Sequence, residues 1–129
     1  MPHLILEYSN NIRDELDLPK LLLDVHRAIV DTGIFKLKFF KSRVIKHDIF
    51  FIGDGSVDQA FVHLAIHTVS DRTGDDTRKA MITKAAMDVL QEAFPKTFNE
   101  FECDLSVRIT EVVPASYARL LTPGVNALP

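Results

Sequence analysis

Two stretches of this 129-residue chain run through the same order of elements, and that order limits the folds open to it. Each has a short strand, a turn carrying an arginine, a helix with one apolar stripe, and a second strand. The clearest strand pattern is Ala60 to Thr68, where Val62, Leu64 and Ile66 face one way and Phe61, His63, Ala65 and His67 the other. Residues 3 to 8 alternate in the same manner. Between them, Asp17 is the expected N-cap of a helix with Pro19 in its first turn. Leu18, Leu21, Leu22, Val25, Ala28 and Ile29 form its stripe, and Gly33 is expected to end it. The second helix is expected to start at Thr73, with Asp75 and Asp76 near its positive end. Ile82, Ala85, Ala86, Val89, Leu90 and Ala93 form its stripe, and Pro95 marks its end. Ser42 to Ile52 and Asp104 to Val112 read as the two closing strands, and Gly53-Asp54-Gly55-Ser56 breaks the first of them.

Superposing the two halves pairs Pro2 with Ala60 and Arg13 with Arg72. A β-α-β unit holds its strands parallel through a right-handed crossover. The expected fold is therefore α+β: a double β-α-β repeat, about 2–56 and 60–112, in a single domain over 1–129. It gives a four-stranded mixed sheet with two helices on one face. The C-terminal arm, 113–129, carries Pro114, Pro123, Gly124 and Pro129 and has no core of its own, so it is either disordered or laid on another subunit. The second sheet face is left bare. Strands as apolar as Phe61 to Ile66 call for cover there, and an oligomer is expected.

Composition excludes several classes of function. The net charge of −3 and the absence of a Lys/Arg run give no field for a polyanion, so no nucleic-acid partner is expected. One cysteine, Cys103, permits no internal disulfide, fits a reducing cytoplasm, and reads as a small buried apolar residue. No basic leader and no apolar run of about 18 residues is present, so a cytoplasmic protein without membrane contact is expected. His63 and His67 stand four residues apart on a strand, roughly 13 Å, too far to share a metal ion. His26, between stripe and solvent, reads as a bystander.

The chemistry suggested by the residues begins at Met1-Pro2. A small second residue lets the initiator methionine be trimmed, which would leave Pro2 with a free secondary amine at the start of a strand. An α-amino group has a pKa near about 8, and neighbouring cations lower it, so such an amine is a general base near neutral pH. Equally, Pro2 can be no more than the opening residue of an edge strand.

The residues then match a known family. The run from Pro2 to Arg13 resembles 5-carboxymethyl-2-hydroxymuconate Δ-isomerases of the tautomerase superfamily. So do Thr32-Gly33-Ile34-Phe35, Lys41-Ser42-Arg43-Val44, Asp54-Gly55, Ala60-Phe61-Val62-His63, Asp71-Arg72 and the tail Val125-Asn126-Ala127-Leu128. The resemblance implies a tautomerase-like homotrimer that uses an amino-terminal proline as base and neither metal nor cofactor. It also implies a small unsaturated 2-hydroxy or 2-oxo dicarboxylate as substrate, from aromatic-ring catabolism by the homoprotocatechuate route. Carried over by position, Pro2 is the catalytic base and Arg72 binds substrate. The family's second arginine falls on Lys41, with Arg43 two residues on, and either can take its place. Lysine offers a mobile point charge where arginine offers a planar fork, so a different acid is also open. Phe39 and Phe40 are candidates for an apolar wall, with core packing expected for at least one. Two alternatives stand beside this: a trimeric binding protein without chemistry, and a superfamily enzyme with another substrate.

Overall fold

A computed structural model describes residues 1–125. Four strands, β1 (His3–Ser9), β2 (Lys41–His47), β3 (Gln59–Val69) and β4 (Glu102–Val112), form one sheet in the order β2-β1-β3-β4. The outer pairs β1–β2 and β3–β4 are parallel and the central pair β1–β3 is antiparallel. The sheet is therefore mixed, as expected. Its order reads the same from either edge: a parallel pair, an antiparallel seam, a parallel pair.

Two helices, α1 (Leu18–Val30) and α2 (Asp76–Gln91), pack on one face. Leu4, Leu6 and Tyr8 of β1 and Val62, Leu64 and Ile66 of β3 are buried against Leu21, Val25 and Ile29 of α1 and Ile82, Ala86 and Leu90 of α2. Alternation along both central strands supplies this face, so the strand period and the helix period meet in one core. Asp17 caps α1 as expected, accepting from the Lys20 N–H at 3.2 Å, and Pro19 lies in the first turn. No helix among the described residues is long and apolar enough to cross a membrane.

Several expectations need correction. The helix α1 ends at Val30, and Gly33 (φ +95°) closes a following turn by donating to the Val30 carbonyl. The strand β2 stops at His47, not Ile52. Its partner β1 ends at Ser9, paired with His47, so Ile49 to Ile52 have no ladder to join whatever their strand propensity. The cap of α2 is Asp75, which accepts from the Arg78 N–H at 2.9 Å; Thr73 is buried two residues earlier with its hydroxyl on the Glu111 carboxylate. Pro95 does not follow a helix end directly but opens a further short helix, α3 (Pro95–Glu100).

The open face also differs from expectation. Register places His3, Ile5, Glu7, Phe61, His63, Ala65 and His67 on it, with Lys41, Arg43, Ile45 and His47 from β2. It is polar more than apolar, because alternation sends Val62, Leu64 and Ile66 to the helices. Bare hydrophobic strands therefore give no reason to expect association. Two of the histidines there are engaged, His47 with Glu7 at 2.9 Å and His63 with Ser106 at 2.6 Å. His26 is no bystander either; it bonds the Ser42 hydroxyl and lies 4.8 Å from the Phe40 ring, half-buried, and burial lowers its pKa. Cys103 is half-buried, and burial raises its thiol pKa.

Candidate active site

The start of β1 lies in the middle of the sheet, and three connections converge on it. The first is the turn Leu37–Phe39, a single 3₁₀ turn leading into β2. Its Phe39 carbonyl accepts from the Met1 ammonium at 3.3 Å and from the Lys41 ammonium at 3.1 Å. The ladder holds this connection in place, since Lys41 donates its backbone N–H to the Pro2 carbonyl at 3.1 Å. The second is the turn after β3, which carries Asp71 and Arg72; the Arg72 N–H closes it on the Val69 carbonyl at 3.0 Å. The third is the arm after β4, which turns through Pro114–Ser116 and brings Tyr117 and Arg119 back over the same place.

Together they enclose a cavity of about 210 Å³ lined by Met1, Phe35, Phe39, Arg72, Tyr117 and Arg119, with Lys36, Val69, Asp71 and Pro114 completing its wall. Half-buried Met1 lines it, and Pro2, the next residue along, is buried. Burial first, and then the charges of Lys41, Arg119 and Arg72 in that order, together lower the Met1 ammonium to a pKa of about 6. An amine at this end of the chain is therefore a free base at neutral pH.

The turn bearing Arg72 is fixed from below. Thr73 is fully buried, and its hydroxyl donates to Glu111 of β4, whose other oxygen pairs with Lys79 of α2 at 2.8 Å. Lys79 and the Thr73 hydroxyl, in that order, hold the Glu111 carboxyl below its ordinary pKa. Among the described residues the Arg72 guanidinium makes no ion pair, neither with Asp71 nor with Asp75.

Of the residues singled out in the sequence, Pro2, Arg72, Lys41 and Phe39 come together here. Arg43 does not. Its guanidinium reaches the His3 ring at 3.2 and 3.3 Å on the open face, and His3 is lowered in pKa by burial and then by that charge. Phe40 joins the core beside Phe35, whose ring it meets edge-on at 5.9 Å. Arg119 and Tyr117 were not foreseen. The sequence places them in an arm without periodicity, and only the fold shows that the arm returns to its own chain's β1. The residues 126–128 of the family-like tail lie outside the described residues. No group of three or more His, Cys, Asp or Glu among the described residues is placed to hold a metal ion.

Comparison with known proteins agrees with this architecture. The profile of the 5-carboxymethyl-2-hydroxymuconate isomerase family matches residues 2–120. The 5-carboxymethyl-2-hydroxymuconate Delta-isomerase of Escherichia coli is 40% identical over 80 residues, a stretch covering 62% of this chain and 64% of that protein, less than two thirds of its length. The structure of a 5-carboxymethyl-2-hydroxymuconate isomerase from Deinococcus radiodurans R1 superposes with a TM-score of 0.84 at 25% identity, over 94% of this chain and 90% of that one. A fused 4-OT symmetric trimer shares the fold at a TM-score of 0.68 and 13% identity, over 97% and 95% of the two chains. With a mixed four-stranded sheet, helices on one face and a profile match over nearly its whole length, this chain has a tautomerase-like fold and belongs to the 5-carboxymethyl-2-hydroxymuconate isomerase family.

Proposed function

We propose that the protein is a cofactor-independent isomerase that moves a proton within an unsaturated 2-hydroxy or 2-oxo acid bearing two or more carboxylates, such as 5-carboxymethyl-2-hydroxymuconate, with Pro2 as the base once Met1 is removed. The observation that carries this is the lowered amine at the head of β1, enclosed with Arg72 and beside Lys41. With Met1 in place, the Pro2 nitrogen is an amide and holds no proton to exchange. Without it, the same burial and the same cations act on a secondary amine one residue along. That amine takes a proton from the enol oxygen or from carbon and returns it to another carbon of the conjugated chain. Arg72 holds a carboxylate, and Arg72 and Lys41 stabilise the negative charge that spreads over the dienolate oxygen. Phe39 gives the conjugated chain an apolar surface. A homotrimer is part of this proposal.

The test is the ultraviolet absorbance of a dienol diacid during ketonisation. Pro2→Ala keeps a primary amine but loses the ring geometry, and the rate falls about 100-fold or more. A variant turning over at the wild-type rate removes Pro2 from the mechanism. One observation favours a second substrate acid for the same base: Lys41 directs its ammonium at the Phe39 carbonyl and offers a carboxylate no fork.

A further inference from the structure

The cavity contains two guanidinium groups, and the proposed function has used only one. Arg119 sits on the arm after β4, with its guanidinium carbon 5.2 Å from the centre of the Phe39 ring. Phe39 is buried, its ring also has the Lys38 ammonium at 5.1 Å, and its carbonyl bears the Met1 and Lys41 ammonium groups. The arm is held in a defined turn by the Ser116 N–H on the Val113 carbonyl at 2.9 Å and the Tyr117 N–H on the Pro114 carbonyl at 3.1 Å. Arg119 and Arg72 therefore approach one small space from different connections, one across β4 and one across β3.

We propose that Arg119 is a carboxylate-binding residue of this site, taking the end of a dicarboxylate that Arg72 does not, and so setting the preference for two acids over one. This deepens the proposed function and rests on it. A guanidinium over an aromatic ring keeps its N–H donors in its own plane, where a carboxylate can accept two of them side by side. The ammonium of Lys41 cannot match this, because it is a point charge without a planar pair of donors. Arg43 lies beside His3 on the open face and does not line this cavity. A cavity of about 210 Å³ has room for one short conjugated chain, so two guanidiniums on its wall suit a molecule charged at both ends. The arm then does more than cover the site. It contributes the second grip.

The experiment measures calorimetric dissociation constants of hexanedioate and hexanoate, beside turnover of a dienol diacid, for Met1-free wild type, Arg119→Ala, Arg119→Lys and Arg43→Ala. Wild type should bind the diacid more tightly than the monoacid. Arg119→Ala should weaken hexanedioate about 10- to 100-fold, bring its affinity to that of hexanoate, and lower kcat/KM on the diacid to match. Arg119→Lys should restore part of both, and Arg43→Ala should leave both unchanged. Arg119→Ala that keeps the wild-type ratio of the two affinities overturns the inference, with the proposed function intact. A wild type that fails to turn over any dienol diacid overturns the proposed function instead, while the affinity ratio still decides whether Arg119 grips a second carboxylate.

Discussion

Lys41 and Arg43 are two residues apart on β2 and leave the sheet on the same side, yet they meet different partners. Lys41 is next to the amino terminus and bonded to Phe39, while Arg43 is on the His3 ring. The amine is sensitive to the first and not among the neighbours of the second. Removing Lys41 therefore acts on the base as well as on substrate. Lys41→Ala removes a positive charge that disfavours the ammonium, so the amine pKa rises and the acid limb of kcat/KM moves to higher pH. The wild-type limb lies below the ordinary amine value of about 8, and activity rises as pH climbs through it because the unprotonated form is the competent one. Loss of a charged contact also lowers kcat/KM about 10- to 100-fold on a diacid, and Lys41→Arg recovers much of it. Pre-steady-state pH profiles of the two variants check both effects. If the limb stays in place while kcat/KM falls, Lys41 meets only the substrate. Arg119→Ala should move the limb in the same direction, since it too lowers the amine.

At the level of elements, most of the fold was legible because its two signals are local. Alternation over Val62, Leu64 and Ile66 and the stripe Leu21, Val25, Ile29 fix which faces meet, and the core is built from those residues. What local pattern cannot carry is pairing. Ile49 to Ile52 have strand composition and no strand, because β1 offers no edge beyond Ser9. The helix α3 escaped notice for a related reason: its cap comes from a distant part of the chain. Phe94 at its N-cap has no acceptor to offer, and Asp14, in the loop after β1, supplies two. Asp14 accepts from the Lys96 N–H at 2.8 Å and from the Thr97 N–H and hydroxyl at 3.0 and 2.6 Å. Partial burial opposes its ionisation, but these bonds outweigh it and hold its carboxyl below the ordinary value. Asp14→Ala should therefore lower stability by about 0.5–2 kcal/mol, read as an earlier urea midpoint with unchanged slope. Because the folded pKa is the lower one, this contribution is present at neutral pH and above the unfolded carboxyl's value. It fades only as pH falls through the folded value. An equal urea midpoint for the variant at pH 7 excludes the cap.

For the whole molecule, the case for association now rests on a different surface from the one the sequence suggested. Ile49, Phe51 and Val57, in the connection between β2 and β3, are 95%, 79% and 90% exposed. Large apolar side chains so exposed within one segment are what an interface covers. The proposed homotrimer predicts sedimentation at micromolar concentration with a mass near three times 14.6 kDa. It also predicts that Phe51→Asp shifts the population towards monomer with the helical content intact. A monomeric wild type at that concentration rules the trimer out.

The sheet order that reads the same from both edges has a further consequence. Each parallel pair has an inner strand that starts beside a cavity: β1, just after Met1 and Pro2, at one end of the molecule, and β3, with Gln59 and Ala60, at the other. The surroundings of the two openings carry opposite signs. Around Ala60 the cavity wall includes Glu102 and Asp104, where the first opening has Lys41, Arg72 and Arg119. An amine created at Ala60 by cutting the chain before it would be kept protonated by those carboxylates, and would be an acid where its counterpart is a base. The backbone alone thus offers two equivalent berths for a chain end, and it is the charge painted around each that decides which way a proton would travel.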